Sequence, residues 1–346
     1  MGSGAKPLGA EINSDLVVHH STATIYPFSP RHYPAFTTLW NNAYPDLKRT
    51  ELEMRLADMS PAQPAAHRWI AEQNDVVVGF GGYEPIEESR EPRKLQLHLF
   101  VEPEWRGRRV GSNLYNQIVK TLSETDVMLR AWAREDRAES LRFLEARGFA
   151  AEMRTFHSSL DTTAFDLTRL EKYRRRLLRY RYRFLSFVEL DQDPARNRAM
   201  YDLYCEVLQD IPSPEPRRLP SFADYEEKIF KSPELFRAHF VALHRDRYVG
   251  LCMLLPHGRT RHELYADTLG IQRAYRGRGI AQALSYMGID YAKNHGYSLI
   301  SADSFVENHK ISALLASLGF ANRTIWTLFS KSPGNAGECA RKNPIV

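Results

Sequence analysis

A glycine-rich turn with two arginines stands between a strand-like and a helix-like segment in residues 266–284. The turn reads Arg276-Gly277-Arg278-Gly279, and a helix is predicted to begin beside Ile280. A helix N-terminus has unsatisfied N–H groups and a partial positive charge, so it binds phosphate readily, and glycine keeps those groups accessible. The segment matches neither a dinucleotide fingerprint nor a P-loop. It therefore predicts another kind of phosphate-binding turn, the alternative being a surface turn with solvated arginines.

The same arrangement occurs twice in the 346 residues. Three landmarks recur at a separation of 170 or 171 residues: a strand-like stretch ending in Gly79 and Gly250, an aromatic-Arg-Gly-Arg string at 105–108 and 275–278, and a helix-like segment closing on a Gly-Phe at 148–149 and 319–320. A common separation of three independent landmarks indicates a tandem duplication. The recurrence also favours phosphate binding over a solvated surface turn.

Each copy has the periodicity of an α/β unit. Apolar alternation predicts a long strand directly before each turn, over Lys94–Val101 and Glu263–Ile271, and a final strand over Met153–Leu160 and Arg323–Ser330. A short strand, an amphipathic helix and a two-strand hairpin precede the long strand, and a helix, a strand and a further helix follow the turn. Strands that alternate with helices predict a mixed α/β sheet.

The string 276–281, Arg-Gly-Arg-Gly-Ile-Ala, resembles the [Gln/Arg]-x-x-Gly-x-[Gly/Ala] signature of the GCN5-related N-acetyltransferase (GNAT) family. The segment 308–320 is similar to the second motif of that family, and 101–111 and 140–149 are the corresponding segments of the N-terminal copy. The layout resembles tandem members such as mycothiol synthase. The resemblance implies two tandem GNAT-like acyl-CoA N-acyltransferase domains, each a mixed, mostly antiparallel sheet flanked by helices.

The resemblance also implies a site for acetyl-CoA as co-substrate. Backbone N–H groups of the turn would hold the pyrophosphate, the strand edge at Leu269 and Ile271 would pair with the pantetheine amides, and the Leu269 N–H would face the thioester carbonyl. Asn308 would lie beside the pantetheine arm. The implied cofactor-binding residues are Leu269, Ile271, Arg276, Gly277, Arg278, Gly279, Ile280, Ala281 and Asn308 in the C-terminal copy, and Val101, Arg106, Gly107, Arg108, Arg109, Val110 and Gly111 in the N-terminal copy.

Acetyl transfer to an alkylammonium requires the loss of a proton, for which a carboxylate beside the thioester is suited. Strand alternation predicts one shared face for Glu263, Tyr265, Asp267 and Leu269. The residues aligned with them in the N-terminal copy are Arg93, Leu95, Leu97 and Leu99. We therefore predict catalysis in the C-terminal copy, with Asp267 as general base, Glu263 as the second candidate, and a purely structural Asp267 as the alternative.

The N-terminal copy departs from the signature at two positions. Arg109 stands where the C-terminal copy has Gly279, and Arg137 stands where it has Asn308. The side chain of Arg109 would either crowd the phosphates or bind one of them. We predict that the N-terminal copy is non-catalytic, and its binding of acetyl-CoA stays open.

The general acid is not evident from the family pattern. Leu144 and Leu315 occupy positions at which many relatives carry a tyrosine that protonates the departing thiolate. Tyr265 or Ser304 would then serve as the acid. Alternatively the thiolate leaves unassisted, because an ordinary thiol has a pKa of about 8.5.

The predicted boundaries are 20–163 for the N-terminal GNAT-like domain, 164–183 for a connecting helix, 184–332 for the C-terminal GNAT-like domain and 333–346 for a flexible tail. The connecting helix is rich in arginine and is opposed by a single acid, Glu171. An exposed connecting helix is favoured over a nucleic-acid-binding one, because no stacking motif or groove-reading fold accompanies these charges.

The composition is that of a soluble globular protein, with a net charge of +5 and 43% hydrophobic residues. Three dispersed cysteines without a CxxC pair predict a reducing cytoplasm and no metal, and the absence of a long apolar run or signal-peptide core predicts no membrane partner. We expect a cytoplasmic monomer or homodimer that moves an acetyl group from acetyl-CoA to a primary amine of a small molecule or peptide. The alternative is a non-catalytic acetyl-CoA-binding or interaction protein, and a nucleic-acid-associated factor ranks third.

Overall fold

The computed structural model describes residues 23–332 except 46–47, 60–65, 87–92, 124, 169–172, 174, 176–177, 214–218, 231–235 and 257–261. The predicted tail 333–346 and residues 169–172, 174 and 176–177 of the predicted connecting helix lie outside the described residues. Within them, twelve strands form one continuous sheet with helices on both faces.

The elements of the N-terminal copy begin with a short edge strand and end with a long one. Its strands are β1 (Thr24–Pro27), β2 (His67–Gln73), β3 (Val76–Pro85), β4 (Lys94–Val101), β5 (Met128–Arg134) and β6 (Ala150–Asp161). Its helices are α1 (Tyr33–Ala43), α2 (Glu51–Met59), α3 (Val110–Thr121) and α4 (Ala138–Glu145). The bounds of β4 are those predicted from the apolar alternation.

The C-terminal copy repeats this order. Its strands are β7 (Tyr182–Ser186), β8 (His239–His244), β9 (Arg247–Pro256), β10 (Glu263–Ile271), β11 (Leu299–Phe305) and β12 (Ala321–Lys331). Its longer helices are α5 (Arg196–Asp210), α6 (Ile280–Asn294) and α7 (His309–Ser317), and a short helix covers Phe222–Tyr225. The bounds of β10 also agree with the prediction.

The hairpin between β2 and β3 has the turn that its sequence predicts. Asn74 and Asp75 both adopt left-handed conformations, with φ of 49° and 62°. Two consecutive positive φ angles define the turn type whose twist suits a two-residue hairpin, and Asn and Asp tolerate this conformation better than most residues. The tight turn holds β2 and β3 in antiparallel register.

The final strands of the two copies are exchanged. The strand order is β1-β2-β3-β4-β5-β12-β6-β11-β10-β9-β8-β7, so β12 pairs with β5 of the N-terminal copy and β6 pairs with β11 of the C-terminal copy. The sequence places a final strand in each copy, but strand alternation specifies only which face is buried, not which neighbour supplies the hydrogen bonds. The two copies therefore share one sheet, in which only the β4–β5 and β10–β11 pairs are parallel.

Each copy packs one long helix on either face of the sheet. In the N-terminal copy, α3 buries Leu114 and Ile118 completely, whereas α1 buries Phe36 among aromatic rings on the opposite face. In the C-terminal copy, α6 and α5 occupy the corresponding faces. These helices therefore cover the two faces of the sheet in each copy.

Candidate functional site

Each copy contains a wedge-shaped cleft between its two parallel strands. β4 and β5 pair only from Lys94 to Gln96, and β10 and β11 pair only from Glu263 to Tyr265. Beyond these residues all four strands continue, but the members of each pair diverge. The divergence leaves one side of β4 and of β10 without a strand partner.

The exposed edge of β10 presents backbone groups to its cleft. The Gln272 N–H donates a 2.9 Å hydrogen bond to the neighbouring strand on the far side, β9. Because hydrogen-bonding direction alternates along an antiparallel strand, the amides of Leu269 and Ile271 point to the cleft. The same alternation directs the amides of Leu99 and Val101 in the N-terminal copy to its cleft. Both copies thus offer the edge needed for strand-like pairing with pantetheine amides.

Both turns below the clefts have the same backbone geometry. Gly107 and Gly277 have φ of 73° and 74°, and the residues that directly precede α3 and α6, Arg109 and Gly279, have φ of 64° and 86°. Glycine adopts this left-handed conformation freely, whereas an arginine is strained there by roughly 1 kcal/mol. The N-terminal copy therefore keeps the turn despite its strain.

An arginine braces each turn against its long strand. The Nε of Arg106 donates to the Val101 carbonyl at 3.1 Å, and the Nε of Arg276 donates to the Ile271 carbonyl at 2.9 Å. Arg276 also pairs with Asp210 at the end of α5, as does Arg273. Because both arginines donate to this carboxylate, the pKa of Asp210 lies below its usual value.

A cavity occupies each cleft, and most of the predicted cofactor-binding residues line it. The N-terminal cavity, of about 390 Å³, is lined by Val101, Arg106, Gly107, Arg109, Val110 and Gly111 among others. The C-terminal cavity, of about 310 Å³, is lined by Leu269, Ile271, Arg276, Gly277, Gly279, Ile280, Ala281 and Asn308 among others. The cradle of strand edge, left-handed turn and helix N-terminus fits a ligand with an extended amide arm and phosphates.

Arg108 and Arg278 line neither cavity. The guanidinium of Arg278 donates to the Tyr182 hydroxyl and the Ala274 carbonyl, both at 2.9 Å. That of Arg108 lies over the Trp105 ring, 5.0 Å from its centroid. Any contribution of these two residues to phosphate binding would come from their backbone N–H groups.

The two cavities differ in the strands that line them and in the number of arginines that they contain. The N-terminal cavity is lined by residues of both diverging strands, including Ala131–Arg134 of β5, whereas no described residue of β11 lines the C-terminal one. Arg106, Arg109, Arg134 and Arg137 all line the N-terminal cavity. Burial and the neighbouring charges of Arg134 and Arg106 lower the pKa of Arg137, so a polyanionic ligand would relieve this repulsion.

The prediction that Leu269 lies on the same face of β10 as Glu263, Tyr265 and Asp267 is wrong. A bulge interrupts the pairing of β10 with β9. Ala266 and Thr268 pair with two consecutive residues of β9, so Asp267 between them has no partner on that strand. A one-residue insertion reverses the alternation that follows it. Leu269 consequently packs towards α6, and Glu263, Tyr265 and Asp267 lie on the face covered by α5.

The three predicted catalytic side chains lie beside the C-terminal cavity but do not line it. Asp267 is exposed and accepts a 2.8 Å hydrogen bond from the Thr268 hydroxyl. The Tyr265 hydroxyl donates to Asp303 at 3.2 Å, and burial, followed by the charges of Asp303 and Asp267, raises the Tyr265 pKa. The other acid candidate, Ser304, is buried.

The bulge also changes which residues of the two copies correspond. The parallel pairing aligns Glu263 and Tyr265 with Lys94 and Gln96, and the antiparallel pairing aligns Thr268 with His98. The predicted counterparts, Arg93, Leu95 and Leu97, are therefore displaced by one residue upstream of the bulge. Where the prediction had a leucine, the N-terminal copy places the His98 imidazole on this face.

His98 forms a hydrogen-bonded chain that the sequence analysis missed. Its Nε2 lies 3.1 Å from Glu84 Oε1, and its Nδ1 lies 3.1 Å from the Tyr44 hydroxyl. Tyr44 in turn lines the N-terminal cavity. The sequence does contain a pattern that predicts the position of His98. Leu95, Leu97 and Leu99 alternate along β4, so the polar residues between them lie on the opposite face of the strand.

Among the described residues, no group of three or more His, Cys, Asp or Glu side chains is arranged to hold a metal ion. None of the helices in the described ranges has the length and apolarity required to cross a bilayer. Leu144, at a position that the family resemblance assigns to a general-acid tyrosine, is buried and lines the N-terminal cavity as an apolar wall.

Comparison with known proteins agrees with this geometry. N-alpha-acetyltransferase 30 of Schizosaccharomyces pombe is 31% identical over 119 residues, which are 34% of this chain and 74% of that protein. Two solved structures share the fold. A GCN5-related N-acetyltransferase from Sphaerobacter thermophilus has a TM-score of 0.64 and 18% identity, over 89% of this chain and 95% of that one. A tandem GNAT protein from the clavulanic acid biosynthesis pathway has a TM-score of 0.60 and 16% identity, over 89% of this chain and 98% of that one. The Acetyltransferase (GNAT) family model matches residues 32–149 and 197–320. The chain is therefore an N-acetyltransferase that belongs to the GNAT family and carries the family's domain twice.

Proposed function

We propose that this protein transfers an acetyl group from acetyl-CoA to a primary amine of a small molecule or peptide, by direct attack of the amine on the thioester. The observation that carries the proposal is the cleft itself, which combines an unpaired strand edge, a left-handed turn and a helix N-terminus. These three features suit, in order, an amide-containing arm, a close backbone approach and a phosphate. The family membership supports acetyl transfer as the reaction.

In the C-terminal cleft, the proposed contacts run along β10 to α6. Backbone N–H groups from Arg276 to Ala281 would hold the pyrophosphate, and Leu269 and Ile271 would pair with the pantetheine arm. The Leu269 N–H would stabilise the charge that develops on the thioester oxygen. Asn308 lines the same cavity and caps α7 by accepting a 3.4 Å hydrogen bond from the Ile311 N–H, so it also supports the wall of the cleft.

The amine would approach from the face that α5 covers, opposite the side on which Leu269 packs. Asp267 and Glu263 are the proposed carboxylate bases on that face, and Tyr265 lies between them. Asp267 is the better candidate because it stands at the bulge, next to the point at which β10 leaves β11. The relative from Schizosaccharomyces pombe is named for an amine acceptor, which supports an amine here.

Thiol release from acetyl-CoA with a panel of amines tests the proposal. The test uses Arg106→Ala protein, in which the turn of the N-terminal cleft has lost its hydrogen bond to the Val101 carbonyl. Asp267→Asn should lower kcat/KM by about a hundredfold, a typical contribution of a general base. The matched control is Asp246→Asn, in the exposed β8–β9 turn, which should leave kcat/KM unchanged. Unchanged kcat/KM for the Asp267 variant across pH would remove that residue from the mechanism.

A further inference from the structure

The side chains of Glu84, His98 and Tyr44 form a linear chain in the N-terminal copy. They come from β3, from β4 and from the residue after α1, so three separate elements position them. Both hydrogen bonds of the chain measure 3.1 Å. Only 18% of the His98 side chain is exposed, and its ring packs 5.3 Å from that of Trp40. The imidazole is therefore held in one orientation.

The chemistry of the partners determines the direction of the hydrogen bonds. An ionised carboxylate can only accept, so His98 Nε2 donates to Glu84 and its Nδ1 is left as an acceptor. The Tyr44 hydroxyl then donates to Nδ1. Although burial opposes ionisation of Glu84, its hydrogen bond and charge interaction with His98, together with Arg68 and Arg49, lower its pKa. Burial followed by the Glu84 charge raises the pKa of Tyr44, which keeps its proton at neutral pH.

The chain connects two cavities. Tyr44 lines the N-terminal cleft together with Trp326, whose ring stacks 5.9 Å from that of Tyr44. His98 and Glu84 line a second cavity of about 20 Å³ beneath α1, which has room for about one water molecule. A proton taken from the cleft by Tyr44 thus has a path to His98, which lies beside the second cavity.

The C-terminal copy completes this site. Trp326 lies on β12, the strand exchanged into the N-terminal half of the sheet, where it pairs with Arg134 of β5. The Tyr44–Trp326 stack provides aromatic surface in the cleft for an acceptor, beside the Arg134 guanidinium, which lies 5.9 Å from the centroid of the Trp326 ring. Arg106, Arg109 and Arg137 line the same cavity and give it affinity for phosphate.

From this arrangement we infer that the N-terminal cleft is a second acetyl-transfer site, in which Tyr44, His98 and Glu84 relay a proton away from a primary amine acceptor. The inference rests on the proposed function and extends it to the copy that the sequence predicts to be non-catalytic. Tyr44 is the residue that faces the acceptor, whereas His98 and Glu84 act through it and are positioning residues.

Acetyl transfer in this cleft removes two protons from the acceptor nitrogen. The alkylammonium gives one proton to solvent and becomes an amine. Its nitrogen forms a bond with the thioester carbonyl carbon, and a second proton passes from nitrogen to the Tyr44 oxygen as the Tyr44 proton moves to His98 Nδ1. The carbon–sulfur bond breaks, the sulfur leaves with the electron pair, and His98 returns the proton to it through Tyr44. The Glu84 carboxylate stabilises His98 while it is charged.

The test uses Arg276→Ala/Asp267→Asn protein, in which the C-terminal cleft binds acetyl-CoA more weakly and has lost its proposed general base, so that the N-terminal cleft carries the turnover. Tyr44→Phe keeps the ring and its packing but removes the hydroxyl, and His98→Ala removes the acceptor. Each should lower kcat by about a hundredfold, within the range of general-base contributions, with little change in KM or in calorimetric affinity for acetyl-CoA. The matched control is His67→Ala, an exposed histidine of β2 that stacks on Tyr83, which should leave kcat unchanged.

The outcomes separate the inference from the proposed function. Turnover that persists in the Arg276→Ala/Asp267→Asn protein and falls when Tyr44→Phe is added supports the relay. Turnover that disappears in the Arg276→Ala/Asp267→Asn protein, or that survives the addition of Tyr44→Phe and of His98→Ala, overturns the inference and leaves the proposed function standing. Failure of the unmodified protein to bind acetyl-CoA overturns both.

Discussion

The bracing arginine of the C-terminal turn allows a prediction with an internal control. Arg276→Ala removes the hydrogen bond to the Ile271 carbonyl and one of the two ion pairs with Asp210, whereas Arg273→Ala removes only an ion pair. A hydrogen bond from a charged group contributes about 1.5–3 kcal/mol, and solvent screening of a side chain that is 40% exposed reduces this to about 1–1.5 kcal/mol. An energy of that size corresponds to roughly a tenfold change in an equilibrium constant.

The assay is calorimetric titration of acetyl-CoA into Arg106→Ala protein, in which the C-terminal turn is the site under test. Arg276→Ala should weaken binding about tenfold, because the turn loses its link to the strand edge that it must face. Arg273→Ala, whose side chain is 75% exposed and does not line the cavity, should change the affinity by about twofold or less. Equal losses in the two variants would refute the reasoning, because they would assign the effect to the Asp210 ion pairs or to net charge.

Two further predictions concern the architecture. A Cβ added at Gly270 would lie 2.0 Å from Val207 Cγ1, so Gly270→Ala should lower the free energy of unfolding by about 1–3 kcal/mol, and Val207→Ala in the same chain should recover part of that loss in denaturant unfolding. A single variant as stable as its parent would contradict this packing. Because β6 takes both of its partners and β5 takes one of its two from the C-terminal copy, residues 23–163 expressed alone should aggregate, and co-expression with 164–332 should restore soluble protein in size-exclusion chromatography. A soluble, cooperatively folded N-terminal fragment would show that the exchange is dispensable.

The duplication and the long strands were predictable because they depend on local signals. Apolar alternation over eight or nine residues defines β4 and β10, and their observed bounds agree with it. The turns followed from glycine placement, since Gly107 and Gly277 have the positive φ that favours this residue. Most of the turn residues line the two cavities, and their binding of acetyl-CoA stays a prediction.

The bulge at Asp267 was not predictable from the same alternation. It arises where β10 passes between β9 and β11, and only the cross-strand pairing reveals that one residue is extra. Its effect is large, because it turns Leu269 away from the predicted carboxylates and aligns His98, not a leucine, with this part of the strand. The assignment of catalysis to one copy rested on that alignment, and it stays a prediction.

The sequence by itself determined that this protein is a tandem GNAT chain with two glycine-containing turns between a strand and a helix, because repeats, glycines and apolar periods are properties of adjacent residues. Only the tertiary structure decided which strand completes which copy, and which polar side chains meet in each cleft. Strand partners and the chain from Glu84 through His98 to Tyr44 depend on residues far apart in the chain. Their contacts depend on register and packing across the whole sheet, which no local pattern specifies.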